Sequence, residues 1–120
     1  MARLSQKCSS AINPHTKLVE DILLCLSRSN HIRVWKNNTG VAKVNGGGVV
    51  RYGLTGSSDI IGICGGGKFL AIEVKTGNAK QSKEQCYFQV TVERLGGIYI
   101  LARSLRDVEH LLLTAKEESL

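Results

Sequence analysis

The run Phe69-Leu70-Ala71-Ile72-Glu73-Val74-Lys75 constrains this chain more than any other segment. It is apolar enough for a buried strand, yet it carries a carboxylate and an ammonium. Strand side chains alternate between faces, so Glu73 and Lys75 share one. A buried charge is costly without a partner, so the strand requires partners close by. Asp59 opens a second apolar run, Ile60-Ile61-Gly62-Ile63, and Gly65-Gly66-Gly67 turns the chain back toward Glu73. A hairpin of this kind brings two carboxylates and one ammonium to a single sheet edge. Two acids invite an oxygen-preferring divalent cation such as Mg²⁺. A lysine beside them suits a water nucleophile or a phosphate oxygen. The competing reading is a surface ion pair on an edge strand, worth under about 1 kcal/mol. The apolar character of the run argues for a central strand instead.

Around this hairpin the pattern predicts a single domain over 14–120, preceded by a loose arm over 1–13 that has no periodicity. Asn13-Pro14 opens a helix with an Asn cap and Pro in the first turn. Leu18, Val19, Ile22, Leu23 and Leu26 form its stripe, and its end is expected near Ser29-Asn30. His31 to Lys36 alternates as a strand. Most of the 13 glycines fall between 40 and 67. They predict either a mobile loop or backbone that approaches a ligand closely. Strands are expected near 58–64 and 68–76, then a helix from Ser82 to about Leu95, then a strand at Ile98 to Ala102. Ser104 is the expected cap of a last helix, with Asp107 at its positive end and Leu105, Val108, Leu111 and Leu112 on its buried face. The order αβββαβα, a hairpin plus a strand-helix-strand crossover, predicts an α/β fold with a mixed sheet and helices on both faces.

Composition narrows the function classes. In 120 residues, 16 Lys and Arg against 10 Asp and Glu give a net charge of +6. That balance fits nucleic-acid contact and an ordinary basic surface equally. No apolar run is long enough to cross a bilayer, and no hydrophobic stretch follows the first charges, so a cytoplasmic protein is expected. Cys8, Cys25, Cys64 and Cys86 lack Cys-x-x-Cys spacing, and His15, His31 and His110 do not cluster with them. A zinc site is therefore not expected. Cys64 and Cys86 read as small core residues. Gly62-Ile63-Cys64-Gly65-Gly66-Gly67-Lys68 imitates a phosphate-binding loop, but Phe69 stands where Ser or Thr is needed and a strand follows. It reads as a tight turn.

Three further groups have two readings each. Gln85 follows Ser82 by three, which makes a capping box, and its amide also stands within reach of the hairpin. Glu20 on the first helix is either a solvated charge or a member of a metal shell, with Asp21 as its competitor. Lys36, Lys43, Arg51, Lys80 and Lys83 are ordinary surface charges singly, and a set suited to a polyanion together.

Assembled, these residues resemble the VRR-NUC branch of the PD-(D/E)XK nuclease superfamily. The resemblance runs through Trp35-Lys36-Asn37-Asn38-Thr39-Gly40, Arg51 to Gly62, Phe69 to Lys75, Gln81-Ser82-Lys83-Glu84-Gln85 and Gly96-Gly97-Ile98-Tyr99. It spans about residues 15 to 110. The acid-x-lysine triplet is weak alone, whereas five segments in order are fairly specific. The resemblance implies a restriction-endonuclease-like core, with Asp59, Glu73, Lys75 and Gln85 catalytic. It implies Mg²⁺ or Mn²⁺ held by Asp59, Glu73, the Val74 carbonyl and, from the first helix, Glu20. Many members have Pro before the first acid, where this chain has Ser58.

The activity it implies is hydrolysis of phosphodiester bonds in DNA. The substrate is expected to be branched, including four-way junctions, and the enzyme a homodimer of the type often encoded by phages and active in the host cytoplasm. Lys36, Asn38, Lys43, Arg51, Lys80 and Lys83 are the expected DNA contacts. A two-fold dimer supplies the two cuts that a symmetric junction needs. The alternatives are a non-catalytic DNA-binding module and a nuclease of flap or RNA substrates.

Overall fold

The computed structural model describes residues 12–118, with side chains through 113. The expected arm therefore falls, through residue 11, outside the described residues. Helix α1 (Pro14–Leu26) begins where Asn13 Oδ1 accepts the Thr16 N–H at 2.8 Å. Strand β1 (Ile32–Lys36) follows, then β2 (Gly40–Lys43), β3 (Val49–Tyr52) and β4 (Ile60–Cys64). A glycine turn at Gly65–Gly67 leads into β5 (Lys68–Val74). Helix α2 (Lys83–Arg94), strand β6 (Ile98–Ala102) and helix α3 (Arg106–Glu118) complete the order.

The result is an α/β fold with a four-stranded mixed sheet in the order β1-β4-β5-β6. β4 runs antiparallel to both neighbours, and β5 and β6 run parallel, with α2 in the crossover. Gly62 lets β1 close on β4. A Cβ there would collide with the Arg33 carbonyl oxygen and with Val34.

One face of the sheet packs Ile32, Ile60, Leu70, Ile72, Val74 and Ala102 against Val19, Ile22 and Leu26 of α1 and Val108 and Leu111 of α3. Each fully buried aliphatic side chain contributes about 1.5–3 kcal/mol. On the other face α2 covers Ala71 and Tyr99 with Val92 and Phe88. Phe88 stands edge-on to both Phe69 and Tyr99. Because both faces are covered, Leu70 through Val74 are all buried, which is why the run reads as continuous apolar sequence.

Four details differ from the sequence reading. The first part of the glycine-rich stretch is not a bare loop; it folds as a two-stranded antiparallel ribbon, β2–β3, outside the main sheet. The first helix stops at Leu26, where Ser27 Oγ donates back to the Leu24 carbonyl. At the start of α3 the side-chain bonding comes from Asp107 in the first turn, whose Oδ2 accepts from the Arg103 and Ser104 N–H groups as the third-residue half of a capping box. Cys86 is exposed rather than a core residue, because it lies on the solvent side of α2, while Cys64 is half-buried. Among the described residues, no helix is long and apolar enough to cross a membrane.

Candidate active site

The β4–β5 register sets Ile60 opposite Ile72. One further step places Asp59 opposite Glu73, on the strand ends where β5 and β6 finish. Like charges facing each other across a strand pair repel. The buried main chain pulls Asp59 in all the same: its Oδ2 accepts the Val74 N–H at 2.8 Å. Asn37 fixes the segment before it. Its N–H donates to the Asp59 carbonyl, and its side-chain amide donates to Ser57 Oγ and the Ser58 carbonyl. Gly56, at φ +85°, lies against the Glu84 carbonyl of α2, where a side chain would clash.

Glu73 is 2% exposed. Its Oε2 faces Lys75 Nζ at 3.5 Å and accepts from Gln85 Nε2 at 3.0 Å. Its Oε1 is buried with no hydrogen-bond partner among the described residues. Burial above all, and then the Asp59 charge, push its pKa from 4.5 up to about 7, against the pull of Lys75. Glu73 and Lys75 thus share a face as period two requires, and their strand is central.

Gln85 does both of the things considered for it. Its Oε1 accepts the Ser82 N–H while its own N–H reaches Ser82 Oγ, the full capping box. Its Nε2 remains to hold Glu73. The cap therefore orients the amide that grips the carboxylate. Behind it, Gln81 donates to Tyr99 Oη at 2.9 Å, and burial raises the Tyr99 pKa.

His15 was not foreseen. Its Nε2 lies 3.3 Å from Asp59 Oδ2 and 3.1 Å from the Val74 carbonyl. Both partners only accept, so this nitrogen carries the hydrogen. The signal was present in the helix. Positions 15, 18, 19, 22 and 26 form one stripe, so His15 extends the buried face of α1 to the sheet end. Glu20 falls off that stripe. It is exposed and lines the rim of the same cleft, with His15, Lys36 and Asp59, without reaching Asp59. Asp21 pairs with Lys17 instead.

Among the described residues, no three His, Cys, Asp or Glu side chains form a ready-made metal cluster. The donors nevertheless fit an oxygen-preferring dication. They are two carboxylates on adjacent strands, one with a buried open oxygen, and the Val74 carbonyl at the end of its strand.

The basic residues are spread around this end. Lys36 lines the cleft. Lys43 and Arg51 share one face of the ribbon with Val41 and Val49, and Asn38 precedes it, all exposed. Lys83 opens α2. Lys80 lies on the loop that Arg103 ties down through the Gly77 and Ala79 carbonyls. No protein-family model matches the chain, and no curated protein matches it either.

Proposed function

We propose that this protein is a metal-dependent, structure-selective DNA endonuclease of the VRR-NUC type, built on a restriction-endonuclease-like core. The observation that carries the reading is Glu73. A carboxylate sealed in a strand, opposite a second acid and with one oxygen open, is unfavourable in isolation and useful once a cation is bound. The strand order and the acid-x-lysine spacing support the same reading.

Asp59, Glu73 and the Val74 carbonyl would hold Mg²⁺ or Mn²⁺. Such an ion supplies positive charge against a phosphate and lowers the pKa of water. Lys75, already on Glu73 Oε2, orients the attacking water and offsets charge on the phosphorane-like transition state. Gln85 and Lys75 occupy Oε2, which leaves Oε1 as the carboxylate oxygen free for the ion. Lys36, Asn38, Lys43, Arg51, Lys80 and Lys83 contact phosphates on either side. Branched DNA is the substrate class we favour, cut in the cytoplasm by a homodimer whose two sites serve the two strands.

The test is cleavage of linear, flap and four-way DNA with Mg²⁺ or with EDTA, with the cuts mapped. The expected result is Mg²⁺-dependent incision at the branch that is lost in Asp59→Ala, Glu73→Ala and Lys75→Ala. Salt-sensitive binding without any cutting would point to a non-catalytic DNA-binding module.

A further inference from the structure

We infer that His15 is a nitrogen ligand of the cation held at Asp59 and Val74, which gives the site a preference for transition-metal dications such as Co²⁺ over Mg²⁺. The inference rests on the metal-site reading above and adds a residue that neither the hairpin nor the family resemblance supplied.

Spacing carries the argument. In an octahedral shell with bonds of about 2.1 Å, neighbouring donors stand about 3 Å apart. His15 Nε2 stands 3.1 Å from the Val74 carbonyl and 3.3 Å from Asp59 Oδ2. His15 Nε2, from α1, thus stands at a spacing compatible with neighbouring corners of one shell from a donor in the segment before β4 and from another at the end of β5. The ring need only carry its hydrogen on Nδ1, which turns the Nε2 lone pair toward the ion.

His15 also reaches this position without strain. Asn13 and Pro14 set the helix start, and Leu18, Val19 and Ile22 hold the stripe on the sheet, so the ring is aimed by packing. Its side chain is 43% exposed, which leaves it open to the cleft. Imidazole favours the later first-row metals, whereas Mg²⁺ takes oxygen donors.

The experiment is calorimetric titration of CoCl₂ and MgCl₂ into the full chain, for the unsubstituted protein, His15→Ala, His15→Glu and Asp59→Asn. Pulsed EPR of bound Mn²⁺ then reads directly coordinated nitrogen. His15→Ala is expected to weaken Co²⁺ by about tenfold or more, at least what losing an outer-shell partner costs. Mg²⁺ affinity should stay within about threefold. The nitrogen coupling should vanish in His15→Ala, and His15→Glu should shift the preference toward Mg²⁺. Equal Co²⁺ affinity in His15→Ala, or no nitrogen coupling in the unsubstituted protein, overturns the inference and leaves the metal site standing. Binding that survives Asp59→Asn, or none in the unsubstituted protein, overturns the site itself.

Discussion

Two glycine-turned hairpins in this molecule have opposite fates. β4–β5 gains a strand on each side and helices on both faces, so Glu73 is buried, Asp59 is half-buried and both carboxylates are held by hydrogen bonds. β2–β3 gains neither, and apart from Gly40 every residue in it is exposed. An isolated two-stranded ribbon is marginal in water. The difference shows how one local device serves two ends. Burial turns charge into chemistry by raising the cost of leaving it unpartnered, while exposure leaves charge available for contact. The division of sign agrees: both acids of the proposed site belong to the buried hairpin, and the ribbon carries only Lys43 and Arg51.

The largest effect that separates the two hairpins is on catalysis. Asp59→Ala or Glu73→Ala should lower Mg²⁺-dependent cleavage by about 10³-fold or more, with an unchanged circular dichroism spectrum. Lys43→Ala with Arg51→Ala should leave the cleavage step of bound DNA within a few-fold. A double variant that stops single-turnover cleavage would erase the distinction.

Next comes pH. Glu73 has a folded pKa of about 7 against 4.5 unfolded, so the folded state holds its proton more tightly. Its contribution to stability is fully present below pH 4.5 and disappears as pH rises to about 7, a change of up to about 3 kcal/mol in metal-free protein. Glu73→Gln should flatten that part of the profile in urea titrations at a series of pH values. An identical slope in the variant would show that the buried hairpin does not bear this strain.

Backbone substitutions give a smaller contrast. Gly62→Ala drives a methyl into β1 and should cost about 1–3 kcal/mol, read as a lower Tm. Gly46→Ala at the ribbon turn meets no neighbour and should cost only the strain of its positive φ, about 1–2 kcal/mol locally. That strain falls on a ribbon that adds little to global stability, so the Tm should barely move. A large Tm loss at Gly46 would mean that the ribbon is part of the cooperative core.

The smallest effect is on DNA contact. Removing Lys43 and Arg51 should weaken binding across sequences and lower the slope of log K against log salt by about 2, with stability changed by under about 0.5 kcal/mol. An unchanged slope would take the ribbon out of the interface.

The sheet and its acids were legible because burial writes a clear pattern. Leu70 to Val74 is apolar except at Glu73, and the exception marked the site. The helices were legible from stripes and from caps such as Asn13 and Ser82. The ribbon was not, since a strand buried on neither face has no reason to alternate, and its glycines look like loop. His15 was passed over for Glu20 because an acid is the more obvious ligand type. Helical phase separates the two: His15 continues the stripe of Leu18 and Ile22, and Glu20 does not. Cys86 shows the converse error, where a residue of a type that is usually buried lies on the open side of α2.

The most direct measurement of the central claim is anomalous diffraction from crystals soaked in MnCl₂. The account predicts one strong peak about 2.2 Å from an Asp59 carboxylate oxygen and the Val74 carbonyl, with Glu73 turned toward it. Full soaking with no peak there, or with Mn²⁺ only at surface carboxylates such as Asp21, would contradict it.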